Sequence, residues 1–93
     1  MERSEFVTAI RQLNAAAEIL TKAGPKDREF DAFQLLAFFR RYDNLGLASE
    51  AVVTSDDELF ARTAQAALTM SGRNEFAASR ALLEQARSLL LAT

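Results

Sequence analysis

The stretch from Lys26 to Asn44 reads KDREFDAFQLLAFFRRYDN and carries the strongest apolar pattern of the chain. On a helical wheel at about 100° per residue, its apolar side chains cover more than half of the circumference. The members of this arc are Phe30, Ala32, Phe33, Leu35, Leu36, Ala37, Phe38, Phe39 and Tyr42. Only Gln34 and Arg41 form a clear polar strip. A helix that is apolar on most sides must be covered on most sides, so the stretch predicts the central helix of a helical domain.

Turn signals on both sides of this stretch divide the 93 residues into four helices. The chain has three glycines and one proline, and alanine and leucine, which favour helices, dominate the rest. The predicted helices are Ser4 to Ala23, Lys26 to Asn44, Asp56 to Ser71 and Glu75 to Ala92. A chain of this length supports one core, so we expect a single domain over residues 1–93. The predicted fold is all-α: a small antiparallel four-helix bundle or orthogonal helical array, with an apolar second helix at its centre.

The ends of these helices carry recognisable caps. Gly24, followed by proline, predicts a left-handed glycine at the end of the first helix. Ser55 and Glu58 are spaced as in a capping box at the start of the third helix. Between the third and fourth helices, Gly72 predicts a C-cap and Asn74 an N-cap.

The composition argues against most catalytic chemistry. The chain contains no cysteine and no histidine, so the usual nucleophile, general base and metal ligands of small enzymes are missing. The three glycines are far apart and form no phosphate-binding loop. Clustered carboxylates occur at helix starts, where they stabilise the positive end of the helix dipole. We therefore expect no catalytic residue, no cofactor and no metal site.

Compartment and partners are also constrained. Absence of cysteine fits a reducing compartment, and no apolar run approaches the roughly 18 residues that a membrane span requires. A net charge of −2 gives no general attraction to nucleic acid or anionic lipid. The sequence therefore predicts a cytoplasmic protein without membrane association.

The second predicted helix has more apolar surface than its neighbours can cover. In a bundle of four short helices, one member touches two or three others, so part of this surface is expected to face outward. One interpretation is that the helix is simply the central core element. The other is that it binds a protein partner or a second copy of the chain. The function predicted on this basis is that of a non-enzymatic adaptor, inhibitor or chaperone-like module that acts as a homodimer.

The predicted contact residues are the aromatic anchors Phe33, Phe38, Phe39 and Tyr42, with Arg41 as a charged rim. Apolar residues after this helix, namely Leu45, Leu47, Val52 and Val53, could cover the same surface.

A second hypothesis involves basic residues near the C-terminal end. Arg73, Arg80 and Arg87 recur every seven residues and would share one face of the fourth helix. Such a stripe could contact nucleic acid in a small regulator. Glu84 lies four residues after Arg80 and three before Arg87, a spacing typical of paired charges on a solvated face. We therefore expect protein binding rather than nucleic-acid binding.

The third and fourth predicted helices resemble one helix–turn–helix unit of a tetratricopeptide repeat. The resemblance covers about a third of the chain and lies in Ala67, Met70, Phe76, Leu83 and Ala86. The aromatic and glycine positions of the repeat's first helix and its closing proline are missing, and Ser79 stands where the repeat has a small alanine. The resemblance implies that these two helices form an antiparallel hairpin.

Overall fold

The structure, a computed structural model, describes residues 1–45 and 56–91. It contains the helices α1 (Arg3–Ala23), α2 (Glu29–Leu45), α3 (Asp57–Gly72) and α4 (Phe76–Leu91), with a 3-10 turn at Lys26–Arg28. The all-α prediction with four helices is confirmed, and each helix end within the described ranges lies within three residues of its expected position. The predicted last helical residue, Ala92, lies outside those ranges.

The helix in the middle of the fold is α1. It packs closely against α2 and α3 and also contacts α4, whereas α2 packs mainly against α1 and touches α4 lightly. Within the described ranges, no Cα atom of α2 comes within 8 Å of one in α3. The second helix is therefore not the central helix that its apolar circumference predicted. The small residues Ala9, Ala16 and Ala17 on the buried side of α1 allow neighbouring helices to approach closely, which explains its position.

Aromatic rings and one hydrogen bond fix the direction of α3 relative to α1. The ring of Phe6 stacks on that of Phe60, with centroids 5.8 Å apart, so the first turns of the two helices meet. At the other end, the hydroxyl of Ser71 donates to the carbonyl oxygen of Ala16 at 3.0 Å. The two helices therefore run parallel although they are separated by α2 in the chain.

The helix pairs that are adjacent in sequence, α1 with α2 and α3 with α4, are antiparallel. The Gln85 amide donates to the Thr63 hydroxyl at 2.8 Å, and the Ser79 hydroxyl lies 2.5 Å from that of Ser71. These contacts join the start of α3 to the later part of α4 and the end of α3 to the start of α4, which confirms the predicted hairpin. Tyr42 near the end of α2 reaches Phe6 near the start of α1, so α2 returns along α1.

All four helices contribute to one apolar core. The buried apolar residues are Phe6, Ala9, Ile10, Leu13, Ala16, Ala17, Leu20, Ala32, Leu35, Leu36, Phe39, Phe60, Ala64, Ala67, Leu83, Ala86 and Leu90. Seven of the ten larger side chains in this set come from α1 and α2, so these two helices supply most of the large apolar side chains of the core. The alanines of α3 and α4 let those helices lie close to α1.

Helix ends use caps that differ from the expected ones. The carboxylate Oδ1 of Asp56 accepts the backbone N–H of Leu59 at 3.0 Å, so Asp56 is the N-cap of α3. Ser55, the expected cap, lies outside the described residues. An aspartate here satisfies an amide that the helix leaves unpaired and adds negative charge at the positive end of the dipole.

The turn between α3 and α4 depends on Asn74 rather than on Gly72. Asn74 has φ of 60°, and its N–H donates to the carbonyl of Ser71 at 3.1 Å. The next amide, that of Glu75, donates to the carbonyl of Met70 at 2.9 Å. This is a Schellman motif with asparagine in the left-handed position, a conformation that asparagine tolerates better than most residues.

The glycine that ends α1 is needed for space and not for a left-handed conformation. Gly24 has φ of −75° and ψ of 177°, which is an extended backbone. A Cβ atom at this position would collide with the carbonyl oxygen of Leu20. The chain can therefore leave α1 toward Pro25 by this route only because residue 24 has no side chain.

Two buried serines connect α1, α3 and α4. Ser71 and Ser79 are fully buried, and the Ser71 hydroxyl donates to the Ala16 carbonyl at 3.0 Å. The hydroxyl oxygens of the two serines are 2.5 Å apart. Because Ser71 has a single hydroxyl hydrogen, Ser79 must be the donor between them. Serine at position 79 is therefore part of a hydrogen-bonded chain that alanine could not complete.

Removing Ser71 should cost more stability than removing Ser79. Ser71→Ala leaves the buried hydroxyl of Ser79 without its acceptor, so we expect the free energy of unfolding to fall by about 1–3 kcal/mol. Ser79→Ala leaves Ser71 still bonded to Ala16, and the expected loss is about 0.5–1.5 kcal/mol. Urea denaturation followed by circular dichroism measures both. A larger loss for Ser79→Ala would contradict this donor assignment.

Candidate functional site: the outer face of helix α2

Two phenylalanines of α2 face solvent. Phe30 is 65% exposed and Phe33 is 57% exposed, although both belong to an otherwise well-packed helix. They lie opposite the side of α2 that enters the core, which consists of Ala32, Leu35, Leu36 and Phe39. The exposed side spans an arc of roughly 100° on a helical wheel. We call this side the outer face of α2; its residues are Phe30, Phe33, Gln34, Ala37 and Arg41, all exposed.

Of the predicted contact residues, Phe33 and Arg41 lie on the outer face of α2. Phe39 does not, because its side chain is 0% exposed and lies in the core between α1 and α2. Phe39 is therefore not accessible to a partner in this fold. Its neighbour in sequence, Phe38, points about 100° away around the helix, which accounts for their different surroundings.

Phe38 and Tyr42 have an intermediate position. Both are half-buried and pack against the core from the edge of α2. The ring centroid of Phe38 lies 5.2 Å from that of Phe39 and 5.3 Å from that of Tyr42, and Tyr42 in turn reaches Phe6 at 6.4 Å. Most of their aromatic contacts are therefore made within the protomer, and they border the outer face rather than form it.

Phe30 is the functional candidate that sequence reasoning missed. It lies four residues before Gln34 and eleven before Arg41, the two residues of the polar strip. Because these spacings place all three on one side of a helix, the polar strip already marked the side that faces solvent. An aromatic residue within that strip was the signal for an exposed aromatic surface.

Charged groups surround the outer face. Arg40 pairs with Glu18 of α1 at 3.2 Å, and Arg28 pairs with Asp31 at 3.7 Å. Arg41 forms no ion pair with residues 1–42 or 56–91. Glu18 is half-buried and the other charged groups are exposed, so each pair contributes little to stability.

A buried amide lies at the seam between α1 and α2. Asn14 is 9% exposed, and neither its side-chain nitrogen nor its side-chain oxygen has a hydrogen-bond partner among the residues that the structure describes. It lies one helical turn before Glu18, so it shares the edge of α1 that carries the ion pair to α2. An unpaired buried amide is costly, which makes this position a local weakness of the fold.

The arginines proposed for nucleic acid do not form a stripe on one helix. Arg73 is the C-cap of α3 and lies before α4, so only Arg80 and Arg87 belong to α4. Arg80 borders a groove of about 370 Å³ at the start of α4, together with Leu20, Pro25, Asp27, Arg28, Phe76 and Ala77. The basic surface is thus divided between this groove and the later part of α4.

Three features of the described chain bear on other kinds of site. No helix in residues 1–45 and 56–91 is long and apolar enough to cross a membrane. In the same ranges, no three side chains of the types that bind metal ions come together. Leu47, Val52 and Val53, expected to cover the aromatic surface, lie outside the described residues, as does the side chain of Leu45.

Comparison with known proteins adds no assignment for the outer face or for the groove. No protein-family model matches the chain, and neither a curated protein nor a solved structure matches it.

Proposed function

We propose that this chain is a non-enzymatic protein-binding module, of the adaptor, inhibitor or chaperone-like kind, that acts through the outer face of α2. Its partner is another protein or a second copy of the chain. The observation that carries the proposal is the pair Phe30 and Phe33, both more than half exposed on the outside of a packed helix.

Exposure of these two phenylalanine rings to water costs the protein part of their burial free energy. Full burial of a phenylalanine contributes roughly 1.5–3 kcal/mol relative to exposure, so two rings exposed by more than half leave on the order of 2 kcal/mol unrealised. The outer face combines two phenylalanines with Arg41, and aromatic residues and arginine are residue types that are enriched in protein interfaces. A partner that covers this face would recover the lost burial energy.

The shape of the face favours a macromolecular partner. Small molecules and substrates bind in concave pockets that enclose most of their surface, whereas the side of a helix is convex. A convex apolar helix face fits a groove or another helix, as in helix-in-groove recognition. This shape also supports a role without catalysis.

Composition supports the remaining parts of the proposal. A cysteine-free chain suits a reducing compartment, and we propose the cytoplasm. With a net charge of −2, and with Arg80 at the groove and Arg87 on the later part of α4, the chain offers nucleic acid little electrostatic attraction. We propose that it binds neither nucleic acid nor membranes.

The double variant Phe30→Ser with Phe33→Ser tests the proposal. We expect it to fold as the wild type does, because both side chains lie outside the core. Used as immobilised baits at equal density, wild type should retain a defined protein partner, or wild-type chain added at up to about 1 mM, and the double variant should retain at least tenfold less. Quantitative mass spectrometry of the bound proteins gives the ratio.

The matched control is Leu59→Ser on α3. Leu59 is 41% exposed and apolar, but it lies on a different helix from the outer face. This variant should retain the partner as wild type does. Equal retention by the wild type and the double variant would refute the proposed role of the outer face.

A further inference from the structure

We infer that the occupant of the outer face is a second copy of this chain, bound so that the two α2 helices run antiparallel with Phe30 of each copy against Arg41 of the other. The inference rests on the proposed function and specifies its partner and geometry. It follows from the spacing of the outer-face residues, from the charges at the two ends of α2, and from the size of the surface.

The spacing along the outer face is symmetric. Phe30, Gln34, Ala37 and Arg41 follow one another at intervals of four, three and four residues, which is the alternation of a helix–helix seam. Reversing the direction of the helix leaves this series of intervals unchanged. An antiparallel pair related by a twofold axis therefore aligns all four positions at once.

In that alignment each residue meets a chemically suitable group. Gln34 lies opposite Ala37 of the second copy, and the small alanine allows the helix axes to approach near the twofold axis. Phe30 lies opposite Arg41 of the second copy, so the guanidinium can stack on an exposed aromatic ring. Phe33 covers one flank of the seam.

The charges of α2 favour the antiparallel direction over the parallel one. Glu29 and Asp31 lie in the first turn, on either side of Phe30. Arg41 of the second copy would thus approach a ring flanked by two carboxylates. Asp31 already pairs with Arg28, but only at 3.7 Å and in the open, so it can also interact with a second cation. In a parallel pair, the Arg41 side chains of the two copies would face each other, and so would their two acidic first turns.

The size of the surface predicts a weak and reversible dimer. Stable complexes usually bury about 800 Å² on each partner, and one face of a 17-residue helix with two exposed aromatic rings provides less. We therefore expect self-association at protein concentrations on the order of 100 µM.

Sedimentation equilibrium between about 10 µM and 1 mM tests the dimer. Wild type should change from monomer to dimer across this range. Phe30→Ser and Arg41→Gln should each raise the dissociation constant about tenfold or more, and Leu59→Ser should leave it unchanged. Circular dichroism checks that each variant retains its helical content.

Crosslinking tests the direction of the helices. The chain has no cysteine, so Glu29→Cys and Arg40→Cys each introduce a single thiol. In the antiparallel dimer, these two positions on different copies differ by only about 3 Å along the helix axis, whereas Glu29 positions are offset by about 20 Å and Arg40 positions by about 14 Å. A short bifunctional maleimide should therefore link the two variants when they are mixed, and should link neither variant to itself.

Each result has a separate meaning. Efficient crosslinking of each variant to itself, without the mixed product, would overturn the antiparallel arrangement. A wild type that stays monomeric up to 1 mM would overturn self-association. If that monomer still retained another protein through Phe30 and Phe33, the proposed function would stand without this inference. If it retained nothing, both would fall.

Discussion

Phe39→Ala should lower the free energy of unfolding by about 3–5 kcal/mol, the usual range for removing a fully buried phenylalanine. Phe39 is 0% exposed, so the variant loses the transfer energy of the ring and leaves a cavity between α1 and α2. A loss of this size is a large share of the stability of a domain this small. Urea denaturation monitored by circular dichroism measures it.

The matched control is Phe33→Ala on the same helix. Because Phe33 is 57% exposed, its replacement should change the free energy of unfolding by much less, about 1 kcal/mol or below. The two variants delete the same ring six residues apart, so the comparison separates the core side of α2 from its outer face. Equal losses would show that the assignment of the two sides is wrong.

Asn14→Leu should raise the free energy of unfolding by about 1–3 kcal/mol, which is the cost of a buried polar group without a hydrogen bond. The Asn14 amide is almost completely buried, and in the described part of the chain neither its nitrogen nor its oxygen has a hydrogen-bond partner. Leucine has a similar size and no polar atom to satisfy, so it should fill the site and gain apolar burial. Thermal and urea denaturation should both show the increase.

Gln34→Leu is the control for this second prediction. Gln34 is exposed on the outer face, so the same kind of change there should alter stability by no more than about 0.5 kcal/mol. If Asn14→Leu instead lowers stability, the amide has a partner in solution, and the seam between α1 and α2 is held by a polar contact.

The helices could be predicted because their boundaries depend on local chemistry. Gly24 and Pro25 stop α1 whatever the rest of the chain does, and the turn around Asn74 needs only its own backbone hydrogen bonds. The choice of cap was less predictable. Gly72 and Asn74 lie two residues apart, and which of them takes the left-handed conformation depends on where α3 ends.

The central helix could not be predicted from apolar content. The circumference of α2 shows that the helix is apolar on most sides, but it does not show how many helices cover it. In the structure, α2 is covered mainly on one side, and α1, whose buried side contains small alanines, takes the central position. Close approach of helices depends on side-chain size, which a count of apolar residues does not capture.

The candidate site could be predicted only in part, for the same reason. A surplus of aromatic surface on α2 was predicted, and Phe30 and Phe33 are exposed. The particular rings depend on which side of the helix meets α1. Phe38 and Phe39 were both predicted to contact a partner, yet Phe39 belongs to the core.

The parallel pairing of α1 with α3 affects how the chain is made. A ribosome produces α1 and α2 first, and these two can meet at once as neighbours in sequence. The opposite flank of α1, including Ala16, stays uncovered until translation has passed Ser71. During that interval the nascent hairpin exposes two apolar surfaces. One is the flank of α1 that α3 later covers, and the other is the outer face of α2. The growing polypeptide is therefore most prone to aggregation before its third helix has emerged from the ribosome.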